Sequence, residues 1–394
     1  MIYLDNASTT KVSDKVVEVM VPYYSEVYAN CSSLHEFGQK AKEKLEDCRQ
    51  RVARVFNAKS REIYFTSGGT ESDNQAILSA AQIGIRQEKK HIITTKFEHH
   101  AVLNVLNKLK QQGFTITYLD VNSNGIIKIE DLEKAITPQT VLVSIMFANN
   151  EIGTIQPIKE IGRVCKEHKV LFHTDAVQAV GNEKIDVDEL GIDMLSLSAH
   201  KFHGPKGVGV LYARSNVPLT QFIVGGSQEN NRRAGTENLP GIVGMVAALE
   251  AAYKDLDTKN QRLKKMRDKL FDELSKIPHS AINGDREHRL CSNFSMCFEG
   301  IEGESLLLLL SDKGICASSG SACTSGSLAP SHVLLSIGRP HEVAHGSLRL
   351  TLSRYTTEDE INKVIEAVPQ VVAYLRSISP VWDELEKGVR KHVI

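Results

Sequence analysis

Phe65-Thr-Ser-Gly-Gly-Thr-Glu-Ser-Asp-Asn74 is the stretch from which the architecture can be read. A β-rich run at 63–66 enters a Ser-Gly-Gly-Thr turn. An amphipathic stretch at 72–86 leaves it, so a helix is expected to begin near Thr70. The alternation continues outward. Further strands are expected at 91–95, 115–120, 141–147, 170–174, 194–198 and 207–213, with helical stretches at 100–112 and 158–169 between them. Strands alternating with amphipathic helices imply an α/β fold around a mostly parallel, seven-stranded sheet covered on both faces. Residues 240–276 read as long helix broken near Asp255. Shorter mixed elements follow Pro278 and close with a helix pair near 358–377 and 380–391. The expected organisation is a large α/β domain over 15–258 and a smaller α+β domain from 1–14 and 259–394.

Composition narrows the possible functions. The 394 residues are 41% hydrophobic and 24% charged, as in ordinary globular proteins. With 47 basic and 48 acidic side chains, the net charge of −1 gives no reason to expect a nucleic-acid partner. The densest charge cluster, Arg262-Leu-Lys-Lys-Met-Arg-Asp-Lys269, alternates with apolar residues and reads as the solvated face of a helix. No run approaches the roughly 18 apolar residues of a membrane span, and no secretory leader is evident, so a cytoplasmic protein is expected. The seven cysteines are odd in number, widely spaced and free of any Cys-x-x-Cys. That argues against a disulfide framework or a zinc site, and no metal ligands are predicted. Most of these thiols should be small core hydrophobes.

In open α/β sheets, ligands bind beyond the carboxyl ends of the strands, and here a polar motif follows strand after strand. The Ser67–Thr70 turn offers helix N-terminal N–H groups and glycines to an anion, although alone it also reads as an ordinary capped turn. Glu98-His99-His100 places an imidazole at a strand end. Ala148-Asn149-Asn150-Glu151 offers side-chain amides. Asp175, in Phe172-His-Thr-Asp175-Ala-Val-Gln178, puts a carboxylate where burial is costly unless a cation pairs with it. Lys201, in Ser196-Leu-Ser-Ala-His-Lys201-Phe-His-Gly-Pro-Lys-Gly207, is a strand-end amine whose neighbours would lower its pKa and suit it to Schiff-base chemistry. An anion turn, a strand-end acid and a strand-end lysine are together what pyridoxal 5'-phosphate (PLP) requires: a seat for the phosphate, a partner for the pyridinium nitrogen and an amine for the aldehyde.

Ser198-Ala-His-Lys-Phe-His-Gly-Pro-Lys-Gly207, Arg233-Ala-Gly-Thr-Glu-Asn238 and Ser318-Ser-Gly-Ser-Ala-Cys-Thr-Ser-Gly-Ser327 carry a close resemblance to a known family. The likeness begins at Tyr3-Leu-Asp-Asn-Ala-Ser-Thr-Thr10 and runs nearly the whole chain. The sequence resembles the class V aminotransferases of PLP fold type I, and within them the group I, nitrogen-fixation-type cysteine desulfurases. The resemblance implies that Lys201 binds the cofactor covalently and moves protons, that Asp175 pairs with the pyridinium nitrogen and that Gln178 bonds the ring's phenolic oxygen. It implies that His99 stacks on the ring as acid/base, that Gly69, Thr70, Ser198 and His200 hold the phosphate, and that Thr236 completes the phosphate cup of the partner subunit in a homodimer. Asn150 would lie by cofactor and substrate, Arg349 would clamp the substrate carboxylate, and Cys323 would be the nucleophile that takes sulfur as a persulfide. The product would be L-alanine from L-cysteine, and the sulfur would pass to an iron–sulfur scaffold or another acceptor protein. The Ser/Gly-rich surroundings of Cys323 suit a thiol on a flexible tether. Cys31 stands where relatives usually have Pro, which places a thiol near the mouth of the site. A selenocysteine lyase, an aminotransferase and a non-catalytic sulfur or metal scaffold are the competing readings.

Overall fold

The computed structural model describes residues 1–320 and 330–394. A short N-terminal strand, β1 (Ile2–Tyr3), lies apart from the central sheet. That sheet comprises β2 (Ile63–Thr66), β3 (His91–Thr95), β4 (Thr115–Leu119), β5 (Thr140–Ser144), β6 (Leu171–Asp175), β7 (Met194–Ser198) and β8 (Gly209–Ala213), in the order β2-β8-β7-β6-β5-β3-β4. The run β7-β6-β5-β3-β4 is parallel, and β8 is antiparallel to both of its neighbours. Every residue of β5, β7 and β8 is buried, as continuous apolar strands covered on both faces require. The fold class read from the alternation is therefore the observed one.

Helix Gly69–Arg86 crosses the sheet and packs Ala76, Ile77 and Ala80 into the core. Strand β5 is shorter than its apolar run, because Met146 gives its N–H to the Glu98 carboxylate at 3.0 Å. The break near Asp255 is present, between helices Leu239–Lys254 and Leu256–Leu274. The final helix, Pro380–Glu386, ends earlier than expected. The charge cluster at 262–269 is corrected in one respect. Arg267 is not solvated: it is 1% exposed, bonds the Leu290 carbonyl at 3.2 Å and pairs with Asp268 at 2.6 Å, because its face of the helix packs against the sheet beneath.

A second core forms around β9 (Ser280–Ile282), β10 (Asn293–Phe298), β11 (Ile315–Cys316) and β12 (Ser347–Thr351), closed by helices Leu256–Leu274 and Glu358–Ser377. Its centre includes Leu270, Phe271, Phe294 and Leu350. Leu4 is buried in this core, and β1 pairs in parallel with β11. The N-terminal arm is thus anchored in the second core while its next residues reach the carboxyl end of the first sheet.

One buried ion pair fixes the segment that follows β8. Arg49 donates to both carboxylate oxygens of Glu229 at 2.7 Å and to the Ile63 carbonyl at 2.7 Å, while the Phe65 N–H bonds Glu229 at 2.9 Å. The two side chains are 5% and 3% exposed. Removing one partner strands the other charge in the core, so Glu229→Ala should lower unfolding free energy by about 3–5 kcal/mol in urea titrations. A loss within ~0.5 kcal/mol would show that the pair is not needed to hold this segment.

Candidate active site

The turn after β2 is shaped for close approach. Gly68 has φ +149°, a conformation side chains avoid, and helix Gly69–Arg86 starts at the next residue. A Cβ placed on Gly209 of β8 would come within 2.5 Å of the Leu197 carbonyl and 2.7 Å of Gly68 Cα. The turn therefore lies directly on the end of β7, and a Cβ at Gly68 would face Ser198 Oγ at 3.4 Å. The first-turn N–H groups have no acceptor within the helix. Ser67 N–H bonds Glu71 at 2.9 Å, and Arg233 pairs with the same carboxylate at 2.9 Å. Burial opposes ionisation of Glu71, but Arg233 and Ser67 outweigh it and hold the carboxyl below its usual range.

Asp175 closes β6 and is buried. Burial raises its pKa, while His99, the Val177 N–H (2.9 Å) and Lys201 pull it back. His99 caps helix His100–Gln111, and its Nδ1 accepts the Ala101 N–H at 3.1 Å. Burial, together with Lys201 and His100, lowers its pKa against the opposing pull of Asp175. A neutral ring whose Nδ1 accepts a hydrogen bond carries its proton on Nε2. Behind it, the buried Glu98 carboxyl is pushed up to about 8 by desolvation and ties Thr95 (2.8 Å) to Met146.

Lys201 follows β7 in a short turn and donates to the carbonyls of Ala7 at 2.5 Å and Ser8 at 2.9 Å. Gln178 also bonds the Ala7 carbonyl, at 3.0 Å. His200 Nδ1 meets Thr9 Oγ1 at 3.1 Å, and Thr10 bonds the His200 carbonyl through its N–H (3.0 Å) and its hydroxyl (2.9 Å). Burial, followed by Lys201 and Lys206, lowers the pKa of His200 to about 4, so it is neutral near pH 7. The N-terminal arm thus holds His200 and Lys201 of the lysine motif.

Arg349, on β12, arrives from the second core and is 3% exposed. Its Nη2 donates to Asp5 at 3.0 Å and Ser8 Oγ at 2.8 Å, and its Nη1 donates to the Asn150 carbonyl at 3.1 Å. Its buried Nε has no partner among the described residues, an unsatisfied donor that suits a carboxylate ligand. Asn150 meets Arg349 through its main-chain carbonyl. Its neighbour Asn149 caps the turn, accepting from Glu151 N–H at 2.8 Å and Ile152 N–H at 3.1 Å.

Thr236 is exposed on the segment just beyond Arg233 and stands outside this cluster. Cys323 lies outside the described residues. Ser318, five positions before Cys323, is tied to Arg349 by reciprocal main-chain bonds of 3.1 and 2.7 Å. Cys31 is buried, and desolvation pushes its thiol up to about 11, so it is not an available thiol at the mouth of the site. Asp5, Ala7 and Ser8 were missed as functional residues. Their signal was present in the Tyr3–Thr10 motif, but no local pattern assigned it a role.

The site fits PLP on its own features: a φ-restricted glycine turn facing a serine hydroxyl, a desolvated carboxylate awaiting a cation, and an amine held among carbonyls. Fold and site are those of a PLP enzyme built on an open α/β sheet. The chain belongs to the class-V aminotransferase family, whose profile matches residues 2–364. It is 53% identical over 379 residues to cysteine desulfurase IscS of Methanosarcina thermophila, covering 96% of this chain and 94% of that one. A solved NifS-like protein superposes with a TM-score of 0.90 at 39% identity, over 95% of this chain and 100% of the other. SspA in complex with cysteine matches with a TM-score of 0.80 at 37% identity, over 91% and 100%.

Because Gly209 abuts Gly68, Gly209→Ala should push the turn off β7. The expected outcome is at least about tenfold weaker PLP binding, on the order of 1.4 kcal/mol, measured by cofactor absorbance in dialysis. Unchanged retention would show that the contact does not set the turn.

Proposed function

We infer that this protein is a PLP-dependent cysteine desulfurase that converts L-cysteine to L-alanine and carries the sulfur away as a persulfide on Cys323. The observation that carries this reading is the meeting of Lys201, Asp175 and the Gly68–Thr70 turn at the strand ends, beside a guanidinium with a nitrogen unpartnered among the described residues. Identities near one half to cysteine desulfurases support the choice of reaction.

Gly69, Thr70, Ser198 and His200 would hold the cofactor phosphate, with Thr236 contributed by the partner subunit. Asp175 would pair with the ring nitrogen, Gln178 with its phenolic oxygen, and His99 would lie against its face. When bound, PLP delocalises negative charge from the substrate's α carbon into its ring. The Arg349 fork would fix the substrate carboxylate, with the Asn150 carbonyl and Asp5 holding the guanidinium in place. Lys201, released from Ala7 and Ser8, would shuttle the α proton. His99, neutral and protonated on Nε2, would donate a proton and accept it back from the Cys323 thiol. The Cys323 thiolate attacks the substrate sulfur. A sulfur–sulfur bond forms as the carbon–sulfur bond breaks, the electron pair stays on carbon, and protonation there gives alanine. No external oxidant is needed.

The active unit is proposed to be a homodimer. Phe222, Ile223 and Val224, exposed at 38%, 38% and 82% on the segment leading to Thr236, support an apolar contact there. Sulfur would pass to an iron–sulfur scaffold or another acceptor thiol in the cytoplasm. Among the described residues no helix is long and apolar enough to cross a membrane, and the six described cysteines are free.

Cys323→Ala should keep the yellow cofactor yet lose sulfide release with a thiol acceptor. Full sulfide production would refute the persulfide role, and turnover of selenocysteine with rejection of cysteine would favour a lyase. Lys201→Ala should lose the visible band of lysine-bound cofactor and about 10²–10⁴-fold in kcat. A normal spectrum would refute that role. Arg349→Lys should raise KM for cysteine about tenfold, the loss of a charge-assisted bond worth about 1.5–3 kcal/mol. An unchanged KM would place the carboxylate elsewhere.

A further inference from the structure

Two residues flanking the β9–β10 ladder and the C-terminal segment bring together two imidazoles and a carboxylate. His279 precedes β9 and Glu299 follows β10. They are neighbours across that ladder, with the Glu299 N–H on the His279 carbonyl at 3.0 Å. Glu299 is 4% exposed. His392 Nδ1 lies 2.7 Å from Glu299 Oε2, and His279 Nδ1 lies 3.7 Å from the same oxygen. The Ile394 carbonyl oxygen is 2.9 Å from His279 Nδ1. The imidazole rings stack with centroids 3.5 Å apart and planes 16° apart, so the two Nδ1 atoms address one space.

The cluster is also held from below. Arg376 does not pair with the Glu299 carboxylate. It donates instead to the carbonyls of Glu299 (3.0 Å), Pro278 (2.8 Å) and His279 (2.9 Å), fixing the backbone of both strand-borne ligands. Among the described residues, no lysine or arginine ion-pairs with that carboxylate. His279 adopts φ +51°, an uncommon conformation for a side-chain-bearing residue. Protons can charge only one of the two stacked imidazoles beside this buried carboxylate, since charging both sets like charges face to face.

We propose that His279, Glu299 and His392 form a binding site for a borderline divalent ion of the Zn²⁺, Ni²⁺ or Cu²⁺ type, with the Ile394 carbonyl oxygen as a further ligand. Bonds of about 2.0–2.1 Å in a tetrahedral set place neighbouring donor atoms roughly 3.3 Å apart, so on binding the two imidazoles would shift relative to Glu299 and turn out of their stack to aim both Nδ1 atoms at the ion. The donor set of two imidazoles with carboxylate and carbonyl oxygens selects these ions over Ca²⁺ and Mg²⁺. Each ring would move its proton to Nε2 and bind through Nδ1. The ion would staple residues 392–394 onto the β9–β10 ladder. Sequence spacing could not show this, because the ligands are 20 and 93 positions apart.

The test uses chelator-treated, PLP-loaded enzyme titrated with Zn²⁺ in a calorimeter. Wild type should bind one more Zn²⁺ per chain than the His279→Ala/His392→Ala variant, both retaining Cys323. Glu299→Gln, which can still accept the Val393 N–H that Glu299 Oε1 accepts at 2.9 Å, should bind at least tenfold more weakly. Cu²⁺ loading should give an electron paramagnetic resonance spectrum split by two nitrogens, falling to one in His392→Ala. Zn²⁺ should also slow amide exchange of residues 392–394 in wild type alone. Equal Zn²⁺ uptake by wild type and the double variant, or nitrogen splitting unchanged in His392→Ala, would overturn the site and leave His392–Glu299 as a hydrogen-bonded latch.

Discussion

A carboxylate can remain buried and ionised only if a cation stands ready to meet it, and Asp175 imposes that condition on everything around it. Its burial follows from its place at the end of a central parallel strand with neighbours on both sides. The cation offered from within the chain is Lys201, at the end of the adjacent strand. His99 and His200 are desolvated enough to be neutral and do not compete for the charge. The site is thus electrostatically prepared for a ligand that brings a protonated ring nitrogen and an anionic group. The glycine turn offers the second of these a seat beside the end of β7.

The N-terminal arm converts these strand ends into a substrate site. Leu4 is sunk in the second core, and within four residues the chain gives carbonyls to Lys201 and side chains to Arg349. One short segment therefore sets the position of the amine, which belongs to one sheet, and of the guanidinium, which belongs to another. The same residues give Lys201 two carbonyl acceptors. Arg349 in turn holds Ser318 through its backbone, which joins this guanidinium-bearing strand to the stretch leading toward Cys323.

The legible parts of the molecule were those written in local periodicity. Strands β2, β3 and β7 and the long helices fell where alternation placed them, because strand and helix periods depend on near neighbours. The class-V family was legible too, from motifs at Lys201, Arg233 and Cys323, and the profile match bears it out. Legibility failed where a charge had no local excuse for being buried. Arg267 looked like one more solvated cation, but its carbonyl partner, Leu290, is 23 positions away. Cys31 looked available and is buried.

The sequence alone determined the alternation of strands and helices, and with it the parallel sheet and the row of polar motifs at its carboxyl edge. It also determined which residue types stood ready for PLP. Only the tertiary structure decided that Asp5, Ala7 and Ser8 bond Lys201 and Arg349, that the Asn150 carbonyl accepts from Arg349, and that His279, Glu299 and His392 meet. The physical reason is range. Hydrophobic period and turn chemistry act over a few residues and leave a signature in the string. A hydrogen bond or ion pair spanning hundreds of positions exists only once packing has closed the distance.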